Sequence, residues 1–483
     1  MMDDWTECSF EDLLDYEQPT NYIVKSTKYN DNYKTPVLTA GKSFIKGYTN
    51  ETEGVFNNLP TIIFDDFTTA TQYVNFEFKV KSSAMKILVP TSNLVNMPLV
   101  YYAMQVNRIR SDTHKRYWIS VFSKKTFLLP PLPIQRAIVS KIETLFSSLD
   151  SGIADLKKAQ EQLKIYRQAV LKKAFEGELT KDWREQQTDL PSTEELLEQI
   201  RNERQKLYDK EISKWEHEVN KWKESSKEGK KPTKPKNLAE LSKLPEEEIE
   251  KLDTIPISWV YSNLAYAGEL ARGKSKHRPR NDPKLFEDGK YPFIQTGDVK
   301  AQKLIYSYNK KYSDFGLSQS KLWKRGTLCI TIAANIAETG FLGIDACFPD
   351  SIVGFTPFKN IITNQFIEYF FQLAKNKISA YAPATAQKNI NLKILENLVI
   401  PYCSKTEQRQ IIKEIESRLS VCDSVEDSIK ESLDKAQALR QSILKKAFEG
   451  KLLALAEIEQ CKQEADYEPA SVLLERIKKE KKN

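Results

Sequence analysis

Two stretches of the chain place apolar residues at seven-residue intervals. In residues 135–177 one row of positions holds Ile142, Leu149, Leu156, Leu163 and Val170. A second row, four residues ahead of the first, holds Ile138, Leu145, Gly152, Ala159 and Tyr166. Two such rows form the a and d seam of a coiled-coil helix. A helix of that length would span about 60 Å.

Residues 408–450 repeat residues 135–177 without a gap. Both stretches begin with Gln-Arg and end with Leu-Lys-Lys-Ala-Phe-Glu-Gly, the offset is 273 throughout, and 18 of 43 positions are identical. Here Ser404 and Glu407 have the spacing of a capping box, and Gly177 and Gly450 stand where a helix ends. The two rows of the second copy are Ile415, Cys422, Ile429, Ala436, Ile443 and Ile411, Arg418, Val425, Ser432, Leu439. The repeat predicts two long helices.

Narrow apolar stripes of this kind need a partner surface. In the simplest arrangement the two helices pack against each other as an antiparallel coiled coil. The alternative is that each helix packs on its own neighbouring domain. The pattern alone leaves both arrangements open.

The segments before the two helices, 1–131 and 253–402, are rich in strand signals. We predict strands at residues 61–64 and 76–81 in the first and at 327–332 and 351–355 in the second. We also predict short helices at Leu99–Asn107 and Gln365–Lys375. Each segment therefore has the pattern of a compact α+β domain, and the chain alternates domain, helix, domain, helix.

The remaining segments are highly charged. Residues 181–252 hold 34 charged residues of 72. A capping box at Ser192–Glu195 predicts a helix over residues 193–225, in which Trp215 and Trp222 belong to a packing seam rather than to a base-stacking platform. Residues 230–236, rich in Lys and Pro, predict a flexible linker. The predicted divisions are 1–131, 132–180, 181–252, 253–402, 403–452 and a charged helical tail at 453–483.

Composition excludes several classes of protein. The chain has 483 residues, of which 40% are hydrophobic and 29% charged, and no window approaches eighteen uninterrupted apolar residues, so we expect no membrane span. The acidic start, Met1-Met2-Asp3-Asp4, is unlike a signal peptide. Six scattered cysteines without a Cys-x-x-Cys pair fit a reducing cytoplasm, and three isolated histidines argue against a histidine metal site.

The positive charge is concentrated in one segment. The net charge is +7, and residues 253–402 alone hold 19 Lys and Arg against 12 Asp and Glu. Residues 1–131 hold 14 against 14. An excess of this kind suggests a polyanion partner. A solvated basic face explains the charge equally well.

Two motifs suggest catalysis but lack the context it requires. Residues 268–275, Gly-Glu-Leu-Ala-Arg-Gly-Lys-Ser, match the phosphate-loop pattern, which must open a helix to hold phosphates. Two prolines, Pro279 and Pro283, follow instead, so we interpret the segment as a basic loop able to meet DNA phosphates. Asp65-Asp66 could bind a metal or read a cytosine amino group, but a turn at a strand end explains it better.

A polar and basic cluster precedes each long helix. The first is Arg108, Arg110, His114, Lys115, Arg116, Tyr117 and Trp118; the second is Tyr381, Thr385, Gln387, Lys388, Asn389, Asn391 and Lys393. Lys and Arg neutralise phosphates, whereas Gln, Asn and Arg can read base edges. A generic surface loop is the alternative in each case.

The repeated helix, together with Tyr291–Val299, Gln387–Asn391, Thr35–Lys42 and Ile63–Phe67, resembles the specificity subunits of Type I restriction–modification enzymes. The resemblance covers nearly the whole chain. It implies two α/β target-recognition domains, 1–131 and 253–402, separated by two spacer helices. The candidate DNA contacts are Lys42, Lys46, Arg108, Arg110, His114, Lys115, Arg116, Tyr117, Trp118, Arg272, Lys274, Lys276, His277, Arg278, Arg280, Gln295, Thr296, Tyr381, Gln387, Lys388, Asn389, Asn391 and Lys393.

The resemblance also implies the chain's partners. They are double-stranded DNA with a bipartite site, two methyltransferase subunits that bind S-adenosylmethionine, and restriction subunits that use ATP and Mg²⁺. No cofactor and no catalytic residue is expected on this chain. Two other hypotheses stay open: a stand-alone phosphate-loop ATPase or nuclease, and a helical assembly scaffold that does not read sequence.

Overall fold

The computed structural model describes residues 2–39, 43–108, 116–224, 231–235, 244–299, 302–333, 336–380 and 390–482. These residues form two compact units. The first unit combines residues 1–159 with 427–483, and the second consists of residues 160–426. Each long helix of the repeat contributes one part to each unit.

The strands fall into one group in each unit. Those of the first unit are β1 Thr6–Ser9, β2 Leu14–Glu17, β3 Thr35–Leu38, β4 Ile45–Thr49, β5 Thr61–Asp65, β6 Thr71–Val74, β7 Lys79–Val80, β8 Met85–Pro90 and β9 Thr126–Leu129. Those of the second are β10 Val260–Asn263, β11 Gly268–Arg272, β12 Tyr291–Phe293, β13 Gln302–Ile305, β14 Lys310–Tyr312, β15 Leu328–Thr331, β16 Thr339–Leu342, β17 Ile352–Pro357 and β18 Val399–Tyr402.

The helices include two that are much longer than the rest. In chain order they are α1 Phe10–Leu13, α2 Met97–Val106, α3 Leu132–Phe175, α4 Lys181–Glu185, α5 Thr193–Glu224, α6 Glu246–Ile249, α7 Asp314–Ser318, α8 Asn364–Ala380, α9 Leu392–Glu396, α10 Lys405–Phe448, α11 Leu455–Lys462 and α12 Ala470–Lys482. The predicted helices near residues 99–107, 193–225 and 365–375 are therefore present as α2, α5 and α8.

The first unit is built on two sheets, with strand orders β2-β8-β5-β6 and β4-β3-β7. The central strand β5 is buried along its whole length. Because side chains alternate across a strand, Ile62 and Phe64 enter one apolar cluster and Ile63 enters another. The first of these clusters also contains Leu473 and Ile477 of α12. The C-terminal helix is therefore part of the core of this unit.

The second unit follows the same principle around a larger sheet, with strand order β11-β17-β15-β16-β13. Leu328 and Ile330 of β15 face a cluster that includes α8 and the end of α3. Cys329, which lies between them, faces a separate cluster with Trp323 and Phe348. A small ribbon of β12 and β14 is attached beside this sheet.

Both units share one frame at the start of their long helix. An antiparallel ribbon joins β1 to β9 in the first unit and β10 to β18 in the second, with Thr6 opposite Leu129 and Val260 opposite Tyr402. β18 stands 273 positions after β9, so the repeat extends back into the ribbon. The insertions within this frame differ. The first unit carries a four-stranded and a three-stranded sheet, whereas the second carries a five-stranded sheet.

The long helices pack together in an antiparallel direction, as predicted. In the first unit, Ile138 and Ile142 of α3 share a cluster with Ile443 and Leu444 of α10. In the second unit, Arg167 of α3 pairs with residues of the first half of α10. The helix ends also pack on the adjacent domains, so both arrangements that the heptads allowed occur. Gly177 and Gly450 follow these helices with positive φ angles of 79° and 67°.

Two sequence predictions were only partly right. The strand predicted at residues 76–81 is reduced to β7. Its Lys79 is buried, with its Nζ 3.2 Å from Glu51 and 2.5 Å from the carbonyl of Glu53, although alternation places this residue outward. In the second heptad copy, Val425 and Leu439 are 41% and 49% exposed, whereas Ile415, Cys422 and Ile429 are buried. The packing of the two helices therefore buries one row of the heptad positions and leaves part of the other row exposed.

Candidate nucleic-acid interface

The basic loop of residues 273–282 follows β11 in the second unit. β11 pairs with β17 along its whole length, and Gly273 lies so close to the chain that an added Cβ would come 2.2 Å from the carbonyl oxygen of Pro349. No helix follows before residue 283, so the helix N-terminus that a phosphate loop needs is missing. The prediction of a basic loop in place of a phosphate loop is consistent with this geometry.

Contacts with Asp350 fix both ends of this loop. Arg272 donates to the carbonyl oxygen of Asp350 at 2.7 Å, and Arg280 donates to its carboxylate at 3.0 Å. Between them, Arg278 donates to the carbonyl of Ser275 at 2.6 Å. The hydroxyl of Ser320 also donates to the carbonyl of Lys274. The loop is thus held in one shape by its own hydrogen bonds.

His277 and Asp282 form a second brace within the loop. The imidazole Nε2 lies 2.6 Å from Asp282 Oδ2, and the ring meets Phe315 edge to face. The hydrogen bond from His277 holds the pKa of the Asp282 carboxyl below its usual range. His277 is therefore a bracing residue of the loop, half-buried and engaged, and not a free cation.

Lys274 and Lys276 are exposed and have no ion-pair partner in the described part of the chain. Other lysines of the same unit lie over aromatic rings. Lys321 Nζ is 3.8 Å from the centre of the Trp323 ring, and burial lowers its pKa. Lys310 and Lys311 lie over Phe286 and Tyr308, at 5.1 and 5.9 Å. These three lysines contact aromatic rings and form no ion pair with a carboxylate in the described part of the chain.

Sequence reasoning did not single out Lys310, Lys311 and Lys321. The rings under Lys311 and Lys321 lie within three positions in the sequence, a signal too common to be used alone, and the ring under Lys310 is the distant Phe286. Other basic residues nearby are neutralised, since Lys290 pairs with Asp314 at 2.5 Å and Lys324 with Asp345 at 2.8 Å. The structure separates the two kinds of lysine, which the sequence could not do.

Gln295 and Thr296 lie in a turn directly after β12. The backbone N of Gln295 donates to Asp298 Oδ2 at 2.8 Å, which closes the turn. Asn309, just before β14, donates to the other oxygen of the same carboxylate at 3.5 Å. Both candidate side chains are half-buried. The turn therefore lies next to Lys310 and Lys311 at one end of the β12–β14 ribbon.

In the first unit, Asp65 accepts within a strand-end turn, whereas Asp66 accepts from a distant segment of the chain. Asp65 Oδ1 accepts from the backbone N of Phe67 at 2.9 Å, and Asp66 Oδ1 accepts from the backbone N of Trp118 at 2.8 Å. The bond to Asp65 supports the interpretation of a strand-end turn, and the bond to Asp66 ties this turn to Trp118. Burial lowers the pKa of the nearby Lys86; the Asp66 carboxylate opposes this shift and Arg116 adds to it.

The structure corrects one candidate of the first unit. Trp118 is 2% exposed and packs against Phe64 and Phe122, so its indole belongs to the core and cannot contact DNA from this position. Tyr117 is half-buried, whereas Lys46, Arg108 and Arg116 are exposed. Aromatic and basic residues that alternate in sequence were therefore separated by the fold.

The remaining candidates divide into two groups. Asn391 caps α9 by accepting from the backbone N of Ile394, and Lys393 lines a cavity of about 630 Å³ beside the end of α3. Lys42, Arg110, His114, Lys115, Tyr381, Gln387, Lys388 and Asn389 lie outside the described residues. The cluster before the second long helix is thus described only at its end.

The described residues contain neither a candidate membrane span nor a candidate metal site. Within them, no helix is long and apolar enough to cross a membrane. No group of three or more His, Cys, Asp or Glu side chains within the same residues is placed to hold a metal ion.

Comparison with known proteins identifies the family. The model of the Type I restriction modification DNA specificity domain matches residues 2–160 and 256–435. The chain therefore belongs to the family of specificity subunits of Type I restriction–modification systems. Both matches begin just before β1 or β10 and extend into a long helix, as the frame of the two units does.

Individual relatives agree with this assignment. The EcoR124I/EcoR124II specificity subunit of Escherichia coli is 43% identical over 173 residues, which are 33% of this chain and 43% of that protein's length. The EcoBI specificity subunit of the same species is 26% identical over 392 residues, 79% of this chain and 70% of the relative. A chain solved in work on complex assembly and conformational transition of the type I R-M system has the same fold, with a TM-score of 0.60 at 15% identity, covering 93% of this chain and 98% of that one.

Proposed function

We propose that this chain is the non-catalytic, DNA-reading subunit of a Type I restriction–modification complex. Each unit carries one target-recognition domain, and each domain reads one half of a bipartite, asymmetric site. The observation that carries the proposal is the frame of ribbon and long helix, repeated at an offset of 273 with unlike insertions. Two different recognition domains on the same ribbon and helix frame suit a DNA site whose two halves differ in sequence.

The charges of the second unit support a DNA partner. The basic loop is fixed in shape by Asp350 and Asp282, while Lys274 and Lys276 are left without carboxylate partners among the described residues. A loop that is already held in one shape loses less entropy when its cations contact phosphates. The first domain is neutral overall, so we infer that it relies on a partner subunit for electrostatic affinity.

The long helices suit a spacer of fixed length. Each has 44 residues and is about 66 Å long, whereas two half-sites one DNA turn apart are separated by about 34 Å. In this proposal two methyltransferase subunits, carrying S-adenosylmethionine, and restriction subunits, using ATP and Mg²⁺, dock on this chain. The chemistry belongs to those partners.

Footprinting of the chain bound to its methyltransferase subunits tests the proposal. We expect two protected blocks separated by an unprotected gap. The double variant Lys274→Gln/Lys276→Gln should weaken binding to all sequences alike and reduce the salt dependence by about two counterions. Lys290→Gln is the matched control, because that lysine is already paired with Asp314. A single continuous block would contradict the proposal.

Two further measurements separate the alternatives. An assembly scaffold would bind DNA weakly and without regard to sequence. A phosphate-loop ATPase would bind ATP as the isolated chain and lose that binding in Lys274→Ala. Exchange of residues 253–402 for another domain of the family should change one half-site only.

A further inference from the structure

Gly297, in the turn after β12, is a glycine that the fold of this chain does not require. An added Cβ there would meet nothing within 4 Å, and the residue does not have a positive φ angle. Among the glycines whose surroundings the structure describes, only Gly152 on α3 shares both properties. The others either have a positive φ or would place a Cβ within 3.0 Å of a neighbour, as Gly273 and Gly343 do.

A glycine of this kind lowers the stability of the folded chain, and neither its φ angle nor its packing requires it. Replacement of Gly by Ala at an unstrained position reduces the entropy of the unfolded chain and commonly stabilises a protein. The open space at Gly297 is therefore available to something outside this chain. Glycine is common in turns, and it is also used where the backbone approaches a ligand closely.

The residues before Gly297 carry side chains that can form hydrogen bonds with bases. The amide of Gln295 and the hydroxyl of Thr296 have no hydrogen-bond partner among the residues that the structure describes. The turn itself is held by the bond from the Gln295 backbone N to Asp298. On the paired strand, Lys310 lies opposite Phe293, the last residue of β12 before the turn, and brings a positive charge to this end of the ribbon. A fixed backbone thus presents free polar side chains beside a cation.

We propose that the Gln295–Asp298 turn is the point where the second recognition domain meets base edges in a DNA groove. The bare Cα of Gly297 lets the backbone approach, so that Gln295 and Thr296 reach the bases. An amide that offers a donor and an acceptor can pair with both groups on one edge of a base. The proposal rests on the DNA-reading function proposed above and adds the position of close approach.

The test uses the full chain assembled with its methyltransferase subunits. Gly297→Ala is compared with Gly152→Ala, in which a Cβ is added at the other open glycine, far along the chain on α3. The readouts are thermal stability and affinity for two duplexes, one with the sequence that the wild-type complex methylates and one scrambled. We expect both variants to be at least as stable as the wild type. Only Gly297→Ala should lose at least tenfold in affinity for the methylated sequence, with affinity for the scrambled duplex unchanged.

Thr296→Val is a second variant that keeps the shape of the side chain and removes its hydroxyl. It should show the same selective loss, so the proposal stays testable even if Gly297→Ala folds poorly. Unchanged affinity in both variants, or an equal loss on both duplexes, would overturn it. A wild-type complex that does not discriminate between the duplexes would instead refute the proposed function itself.

Discussion

Arg167 donates to Asp423 at 2.6 Å, and the residues 273 positions away from these two, Arg440 and Asp150, form the same ion pair. The first pair joins α3 to α10 in the second unit, and the other joins the same helices in the first unit. The sequence repeat is thus also a repeat of contacts. In both pairs the residue numbers give the same antiparallel register.

The two ion pairs have different neighbours, which gives a prediction. Arg167 also pairs with Glu426 at 3.0 Å, and the position equivalent to Glu426 in the first copy is Ile153. Arg440 lies 4.3 Å from the centre of the Phe146 ring, whereas the position equivalent to Phe146 in the second copy is Leu419. Double-mutant cycles in urea should therefore give a coupling of about 0.5–1 kcal/mol between Arg440→Ala and Phe146→Leu. Arg167→Ala and Leu419→Ala should be nearly additive. Equal coupling in the two cycles would argue against a cation–π contribution.

The first residue of the repeat is a buried glutamine with a structural task. Gln135 Nε2 donates to the carbonyl of Pro130 at 2.8 Å, and Gln408 Nε2 donates to the carbonyl of Cys403, also five residues earlier, at 3.1 Å. Gln408 bonds in addition to the backbone of Ile361 and Thr363. Replacement by Leu leaves buried backbone groups without partners, at about 1–3 kcal/mol each. We expect Gln408→Leu to lower the unfolding free energy clearly more than Gln135→Leu; similar losses would be inconsistent with these contacts.

Glu407 is a carboxylate at 1% side-chain exposure that joins three segments of the second unit. It accepts from Trp259 Nε1 at 2.8 Å, Thr180 Oγ1 at 2.9 Å and Arg184 Nε at 2.7 Å. The equivalent residue of the first copy is the apolar Ile134. Glu407→Ile should nevertheless lower the unfolding free energy by about 3–5 kcal/mol, because it leaves Arg184 and two other donors without their carboxylate acceptor. Glu407→Gln should cost less, and denaturation of both variants checks this order.

Acid should weaken the attachment of α12 to the first unit. Burial alone would raise the pKa of Asp12, but hydrogen bonds from the backbone of Ser9 and from Lys478 outweigh it and lower the pKa. A lowered pKa means that this contribution is complete above about pH 4 and is lost as the pH falls through the folded-state value. Since both side chains are partly exposed, we expect about 0.5–1 kcal/mol. The stability difference between wild type and Asp12→Asn should shrink from pH 5 to pH 3; a difference that grows would contradict the assignment.

The long helices could be predicted from the sequence because their signals are local and repeated. Heptads, the capping residue Ser404 and the terminal glycines lie within one element, and the structure places α3 and α10 within a few residues of the predicted bounds. The hydroxyl of Ser404 accepts from the backbone N of Glu407 at 3.1 Å. The carboxylate of Glu407, however, turns to Trp259 rather than back to the cap, since a tertiary partner competes for it.

The candidate interface was less predictable because it depends on partners distant in sequence. Whether a lysine is free is decided by residues such as Asp314, Asp345 and Asp350, far along the chain. Lys79 is a further case, because alternation alone places it outward, whereas contacts with the distant Glu51 and Glu53 account for its burial. The basic neighbours of Trp118 predict a surface position, whereas its ring packs against Phe64 in the core.

The first unit is assembled from the two ends of the chain. The backbone N of Ala470 donates to the carbonyl of Asp4 at 2.9 Å, and the hydroxyl of Tyr467 donates to its carboxylate. On the ribosome, residues 160–426 have all been synthesised before α12 exists. The second unit can thus complete its core during translation, whereas the first unit can do so only after α12 has been synthesised.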